Sequence, residues 1–223
     1  MGVTIHYKGN LKSPDMVQPL IEDLEDICRS ADWKYSLLEP KKLTKEDKED
    51  MPAHFAQLRG ISIKPHEESE SLQFIFNEKG EWRTFMNLFL GDKLPTGMKN
   101  WAFVKTQFAG PETHIAIINL LLYLRKKYFK KLDIKDEGGY YPKKNIDDLN
   151  QRLGFINNAI ATIHDVVEHG DFSDNPEEMI EQMRDAISRS LKDVKVEVVK
   201  FDMNDLPLPF PPNLNFGDES AGF

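Results

Sequence analysis

This chain predicts an α+β fold: a mostly antiparallel sheet with two helices on one face, followed by a C-terminal antiparallel helical hairpin. Three patterns carry that expectation. Apolar side chains alternate in steps of two through much of the first hundred residues. Two segments, starting at Pro14 and at Pro111, have the length and apolar content of core helices. After residue 145 apolar residues recur in steps of three and four.

The first strand is read from residues 3–8, where Val3, Ile5 and Tyr7 fall on one face and His6 on the other, toward solvent. Ser13-Pro14-Asp15 is a helix start, with a hydroxyl cap, proline at the first position and an acid near the positive end. Val17, Leu20, Ile21, Leu24, Ile27 and Cys28 then form an apolar stripe. Pro19 lacks the N–H for a bond back to residue 15, so it should bend the first turns or delay the true start. A strand returns over residues 33–38. Residues 41–52 are charged and read as a solvated loop or short exposed helix.

Residues 59–65, 72–77 and 81–85 read as successive strands, and Asn77-Glu78-Lys79-Gly80 supplies a hairpin turn. A loop over 91–97 precedes a strand at 100–108. The second helix opens at Gly110-Pro111-Glu112 and ends in Arg125, Lys126 and Lys127 with Lys130 and Lys131, an acid at the start and cations at the finish, matching the macrodipole. A short strand at 132–134 completes a strand, helix, strand unit.

Asn145 caps the next helix, whose seam is Ile146, Leu149, Leu153, Ile156, Ile160, Ile163 and Val167. Asn175-Pro176 starts its partner, with Ile180, Met183, Ile187, Leu191 and Val194 at helical spacing. A short strand is expected over 194–201. Four prolines between 207 and 212 make the remainder extended. The expected organisation is a sheet domain over 1–144, a helical hairpin packed on it over 145–205, and a proline-rich tail over 206–223.

The candidate site follows from the strand, helix, strand unit. If its strands run parallel, their carboxyl ends leave one edge of the sheet, where ligands of open α/β sheets collect. Gln107, Gly110 and His114 would then face Asp136, Glu137, Gly138, Gly139 and Tyr140 across a crevice. A carboxylate pair beside a histidine suits acid–base work or a divalent metal. Against this, Asp-Glu-Gly-Gly is ordinary turn composition and His114 could simply be a satisfied helix residue. Pro111 and Glu112 disfavour an anion at the helix start. His164, Glu168 and His169 lack zinc-protease spacing and read as surface ion pairs. The aromatics Trp82, Trp101, Tyr140 and Tyr141 could wall a pocket but suit core packing better.

Of 223 residues 40% are hydrophobic, enough for a packed core, and the formal net charge of −8 argues against broad nucleic-acid or anionic-membrane binding unless charge is segregated. One cysteine excludes an internal disulfide and any cysteine-based metal cluster. Cys28 falls on an apolar stripe and reads as a buried thiol. With no signal-like amino terminus and no apolar run near the ~20 residues of a membrane span, a cytoplasmic protein is the default.

No nucleotide-binding or hydrolase signature occurs. The expected function is therefore a binding or assembly module, with homo-oligomerisation through the C-terminal helices. The alternative is a small-molecule or metal-dependent enzyme, or a ligand sensor, built on the 107–114 and 136–141 loops. Neither ligand nor cofactor is specified by any motif.

Overall fold

The computed structural model describes residues 3–40, 57–84, 88 and 100–191. The segments expected as a loop at 41–52, a loop at 91–97, a strand at 194–201 and a tail from 206 lie outside these residues, as does the end of the strand expected to reach Phe85.

In chain order the elements are β1 (Thr4–Leu11), a single 3-10 turn (Pro14–Met16), α1 (Val17–Ser30), β2 (Lys34–Leu38), β3 (Arg59–Lys64), β4 (Leu72–Phe76), β5 (Trp82–Arg83), β6 (Ala102–Lys105), α2 (Gly110–Lys127), β7 (Phe129–Asp136), α3 (Ile146–His169) and α4 (Pro176–Ser190). Every strand pairing among the described residues is antiparallel. The strands divide between two sheets of order β6-β1-β7 and β2-β3-β4-β5, where the sequence suggested one.

Pro19 delays the first helix. The chain makes its 3-10 turn at Pro14–Met16, and α1 begins at Val17, which places Pro19 in the first turn, where its missing N–H is not needed. Ser13 makes no side-chain cap bond, so the hydroxyl cap expected there does not form. All six stripe residues of α1 are buried.

The two sheets share one core. Tyr7 on β1 meets β4: its hydroxyl donates to the Gln73 carbonyl at 3.0 Å and accepts from the Gln73 N–H at 2.8 Å. The hydroxyl thereby occupies the side of β4 that faces away from its β3 partner, and two backbone groups find their bonds across the sheet boundary. Trp82 sits between the sheets, its ring centre 5.6–6.0 Å from those of Tyr7, Phe74, Phe76 and Phe129. Trp82 and Tyr140 are core residues, as expected of sheet aromatics.

α1 and α2 are joined by Asp23, whose carboxylate accepts from the Tyr123 hydroxyl at 2.7 Å, the Tyr128 hydroxyl at 3.0 Å and Lys127 at 3.1 Å. The end of α2 is closed by Lys12, which donates to the carbonyls of Lys126 and Lys127 at 2.8 and 2.9 Å. A cation at a helix carboxyl end satisfies carbonyls that have no partner within the helix. No helix among the described residues is long and apolar enough to cross a membrane.

α3 begins as expected, with the Asn145 side chain accepting from the backbone of Asp147 and Asp148. Its first half is built into the core through Leu149 and Leu153, with Ile146 and Ile156 packed against it. Its second half leaves the core, and Ile160 and Val167 are exposed. The expected continuous seam is thus buried at one end only.

Candidate functional site

β6 and β7 each run antiparallel to β1, so they run parallel to one another with β1 between them. The expected co-directional pair is therefore present, although its members do not bond directly. β6 stops at Lys105, short of the strand expected to reach 108. The reason is local: Thr106 N–H donates to Val3 O at 3.0 Å, and Ala109 N–H returns to Thr106 O at 3.0 Å, turning the chain into α2. On the far side Glu137 N–H donates to Thr4 O at 3.1 Å. Both exits are tied to the start of β1.

A buried hydrogen-bonded chain crosses this edge. Thr106 Oγ1 lies 2.7 Å from His114 Nδ1, and His114 Nε2 lies 2.9 Å from Asp136 Oδ1. Asp136 also accepts from Gly138 N–H at 2.6 Å and Tyr141 N–H at 2.8 Å. His114 and Asp136 have no exposed side-chain surface. Burial by itself would raise the Asp136 pKa. The hydrogen bond and charge of His114, with the two backbone donors, outweigh it and hold the carboxyl below the ordinary carboxylate value.

Two glycines make the approach possible. A Cβ on Gly138 would lie 2.8 Å from His114 Cε1 and 2.7 Å from Leu149 Cδ1, so a side chain there would push histidine and helix apart. Gly139 has φ +79°, a conformation other residues resist. The turn composition thus serves close packing against His114.

Chemically, hydroxyl, imidazole and carboxylate in series are the parts of a nucleophile relay. Here Thr106 and His114 are fully buried. The arrangement joins the start of β1, the end of β6, α2 and the end of β7, and in that role it is a fastener. Sequence reasoning named His114, Asp136 and Gly138 but missed Thr106, which only the path of β6 brings to the histidine. It also missed Arg152 of α3, which donates to Glu137 O at 3.1 Å.

The remaining named residues are dispersed around the fastener. Glu137 turns outward to His6 at 3.1 Å. Gly110 opens α2 at φ +82°. Tyr140 is buried. Gln107 is 2% exposed, yet neither its Nε2 nor its Oε1 has a hydrogen-bond partner. Among the described residues no group of three or more His, Cys, Asp or Glu is placed to hold a metal.

His164 pairs with Glu168 at 3.5 Å and His169 with Asp165 at 3.1 Å, four exposed side chains in two separate pairs. Cys28 is fully buried, and burial first, then Glu25, drives its thiol pKa up to about 12 against the smaller opposing effect of Arg29.

No family model matches the chain, and neither the curated proteins nor the solved structures contain a match.

Proposed function

We propose that the protein is an assembly module whose C-terminal helices pair with those of a second copy. The observation that carries this reading is α4. It contributes no buried residue to the fold, although Ile180, Met183 and Ile187 along it and Leu191 at its C-cap form an open apolar face. Ile180 is 55% exposed, and the outer half of α3 adds Ile160 and Val167. An amphipathic helix gains its stability from covering its apolar face. Two hairpins meeting about a twofold axis would cover both sets at once, as in a four-helix bundle.

The test is light scattering of the full chain beside Ile180→Asp/Ile187→Asp. Truncation at the start of α3 is unsuitable, because it removes Leu149 and Leu153 from the core. The expected result is a dimer mass for the wild type and a monomer mass for the double variant, which stays folded by circular dichroism and melts lower by the stabilisation that association had supplied. A wild type that stays monomeric at about 200 µM, where even a weak interface would be populated, overturns the proposal.

A second reading, a ligand sensor at the sheet edge, is favoured by Gln107 alone. A buried amide without partners costs about 1–3 kcal/mol, and a small polar ligand lodged beside it would remove that penalty. Thermal melts against small acids and amides, wild type beside Gln107→Leu, separate the cases. A sensor shows ligand-dependent stabilisation that the variant lacks. A purely structural Gln107 gives a more stable variant and no ligand response.

A further inference from the structure

The outer face of the β6-β1-β7 sheet combines aromatic rings with lysines that have no acidic partner. Register places Phe103, His6 and Lys135 in one row, and Lys105 with Thr4 in the next. Strand alternation and register put Trp101, Lys8 and Asp133 in a third row, about 7 Å further along. Phe103 is 47% exposed and Phe108, just past the strand, 50%. Lys8 Nζ lies 4.6 Å from the centre of the Trp101 ring, and Lys105 Nζ 5.8 Å from that of Phe108.

The acids on or beside this face are already engaged: Glu137 with His6 at 3.1 Å, Asp133 with Lys131 at 3.1 Å, Glu81 with Arg83 at 2.6 Å, and Glu70, whose carboxylate accepts from the Lys105 backbone N–H at 2.9 Å. Among the described residues no carboxylate pairs with the ammonium of Lys8, Lys105 or Lys135. At the Trp101 end the face opens into a polar cleft of about 460 Å³ lined by Lys8, Lys131, Arg83 and Asn100 together with the carboxylates of Glu81 and Asp133, a mixed rather than purely cationic wall.

The net charge of −8 conceals this arrangement. Residues 145–191 hold ten Asp and Glu against three Arg and no Lys, so most of the negative charge belongs to the helical third. Outside that third the chain is close to neutral, so what the sheet face offers a polyanion is a local set of unpaired lysines rather than a strongly basic domain.

We propose that this sheet face binds single-stranded nucleic acid, with a base stacked on Phe103 and phosphates held by Lys8, Lys105 and Lys135. Stacking on an exposed ring needs an unpaired base, and sheet faces bearing aromatics beside cations suit extended single strands. An acidic peptide would use the lysines but leave Phe103 without a planar partner. The face is separate from the helices of the assembly proposal and stands without it.

The experiment is fluorescence anisotropy of a labelled oligothymidylate of about 12 nucleotides, within the usual range for one such face. The full-length protein binds at low salt, with a slope of log K against log salt of about −2, from three phosphates at roughly 0.7 each. Phe103→Ala, exposed and so neutral to folding, weakens binding about 10-fold, the size of one lost stack. Lys135→Gln reduces the magnitude of the slope by about 0.7.

Absence of binding at low salt overturns the proposal. So does binding that Phe103→Ala leaves unchanged, or equal affinity for a duplex of the same length. Displacement by polyglutamate as readily as by unlabelled oligomer would reassign the face to an acidic protein. A mononucleotide competing as well as the oligomer would reassign it to a free nucleotide.

Discussion

Replacing Asp136 by alanine removes the acceptor of three hydrogen bonds, from His114 Nε2 at 2.9 Å, Gly138 N–H at 2.6 Å and Tyr141 N–H at 2.8 Å. A buried donor left without a partner costs about 1–3 kcal/mol, and neighbouring losses do not add fully, so the expected destabilisation is about 4 kcal/mol. Against a typical domain stability of about 5–15 kcal/mol that is a large fraction. Asp136→Asn keeps a carbonyl oxygen for some of the donors and should cost about half as much. Urea unfolding is the assay; with a slope near 2 kcal/mol/M, the alanine variant should unfold about 2 M earlier. Glu137→Ala is the control, since that carboxylate faces outward and its loss should stay within about 0.5 kcal/mol. An Asp136→Ala cost below about 1 kcal/mol would refute the fastener and return the relay to the functional candidates.

Further outcomes follow from the same contacts. Because the folded Asp136 pKa lies below its unfolded value, the carboxylate adds stability above the ordinary carboxylate pKa, near 4, and loses it as pH falls through the lower folded value. Stability against pH should therefore be less steep below pH about 4 in Asp136→Asn than in the wild type, measured by urea midpoints. Tyr7→Phe strands both backbone groups of Gln73 and should cost about 1–3 kcal/mol; a silent variant would mean the sheets are joined by packing alone. With its thiol pushed up to about 12, Cys28 should resist disulfide reagents at neutral pH until the protein is unfolded in denaturant. Rapid native labelling would contradict the burial. Added salt should strengthen self-association of the acidic helices while weakening oligonucleotide binding to the sheet face, so the two proposals predict opposite salt responses in one buffer series.

Much of this fold was legible because local patterns and tertiary burial agree. The six apolar positions of α1 were readable from spacing, and all six are buried. Asn145 and Asn175 were readable as caps, and both accept backbone bonds at their helix starts. Ser13 failed because Pro19 moved the α-helical start, a conflict the sequence stated without deciding. The division into two sheets was hidden, since alternation marks a strand's faces but not its neighbours. Likewise the seam of α3 reads as uniform, yet only its first half, from Ile146 to Ile156, packs into or against the core.

The candidate edge shows the same boundary between what is local and what is not. His114 and Asp136 could be named because a parallel pair must bring its exits to one side of the sheet. Thr106 could not, because its role depends on β6 ending early against Val3. Gln107 and Thr106 are adjacent residues of opposite fate, one fully bonded and one buried without a partner. That contrast weighs against reading the whole edge as a single site. A fastener made of Thr106, His114 and Asp136 ties the turn down, and a turn so held can keep the unpaired Gln107 amide buried beside it. The informative comparison is then Gln107→Leu in the wild type and in Asp136→Asn. If the fastener sustains the unpaired amide, loosening it lets Gln107 reach water, and the stabilisation gained from leucine shrinks. Equal gains in both backgrounds would show that the two features are independent.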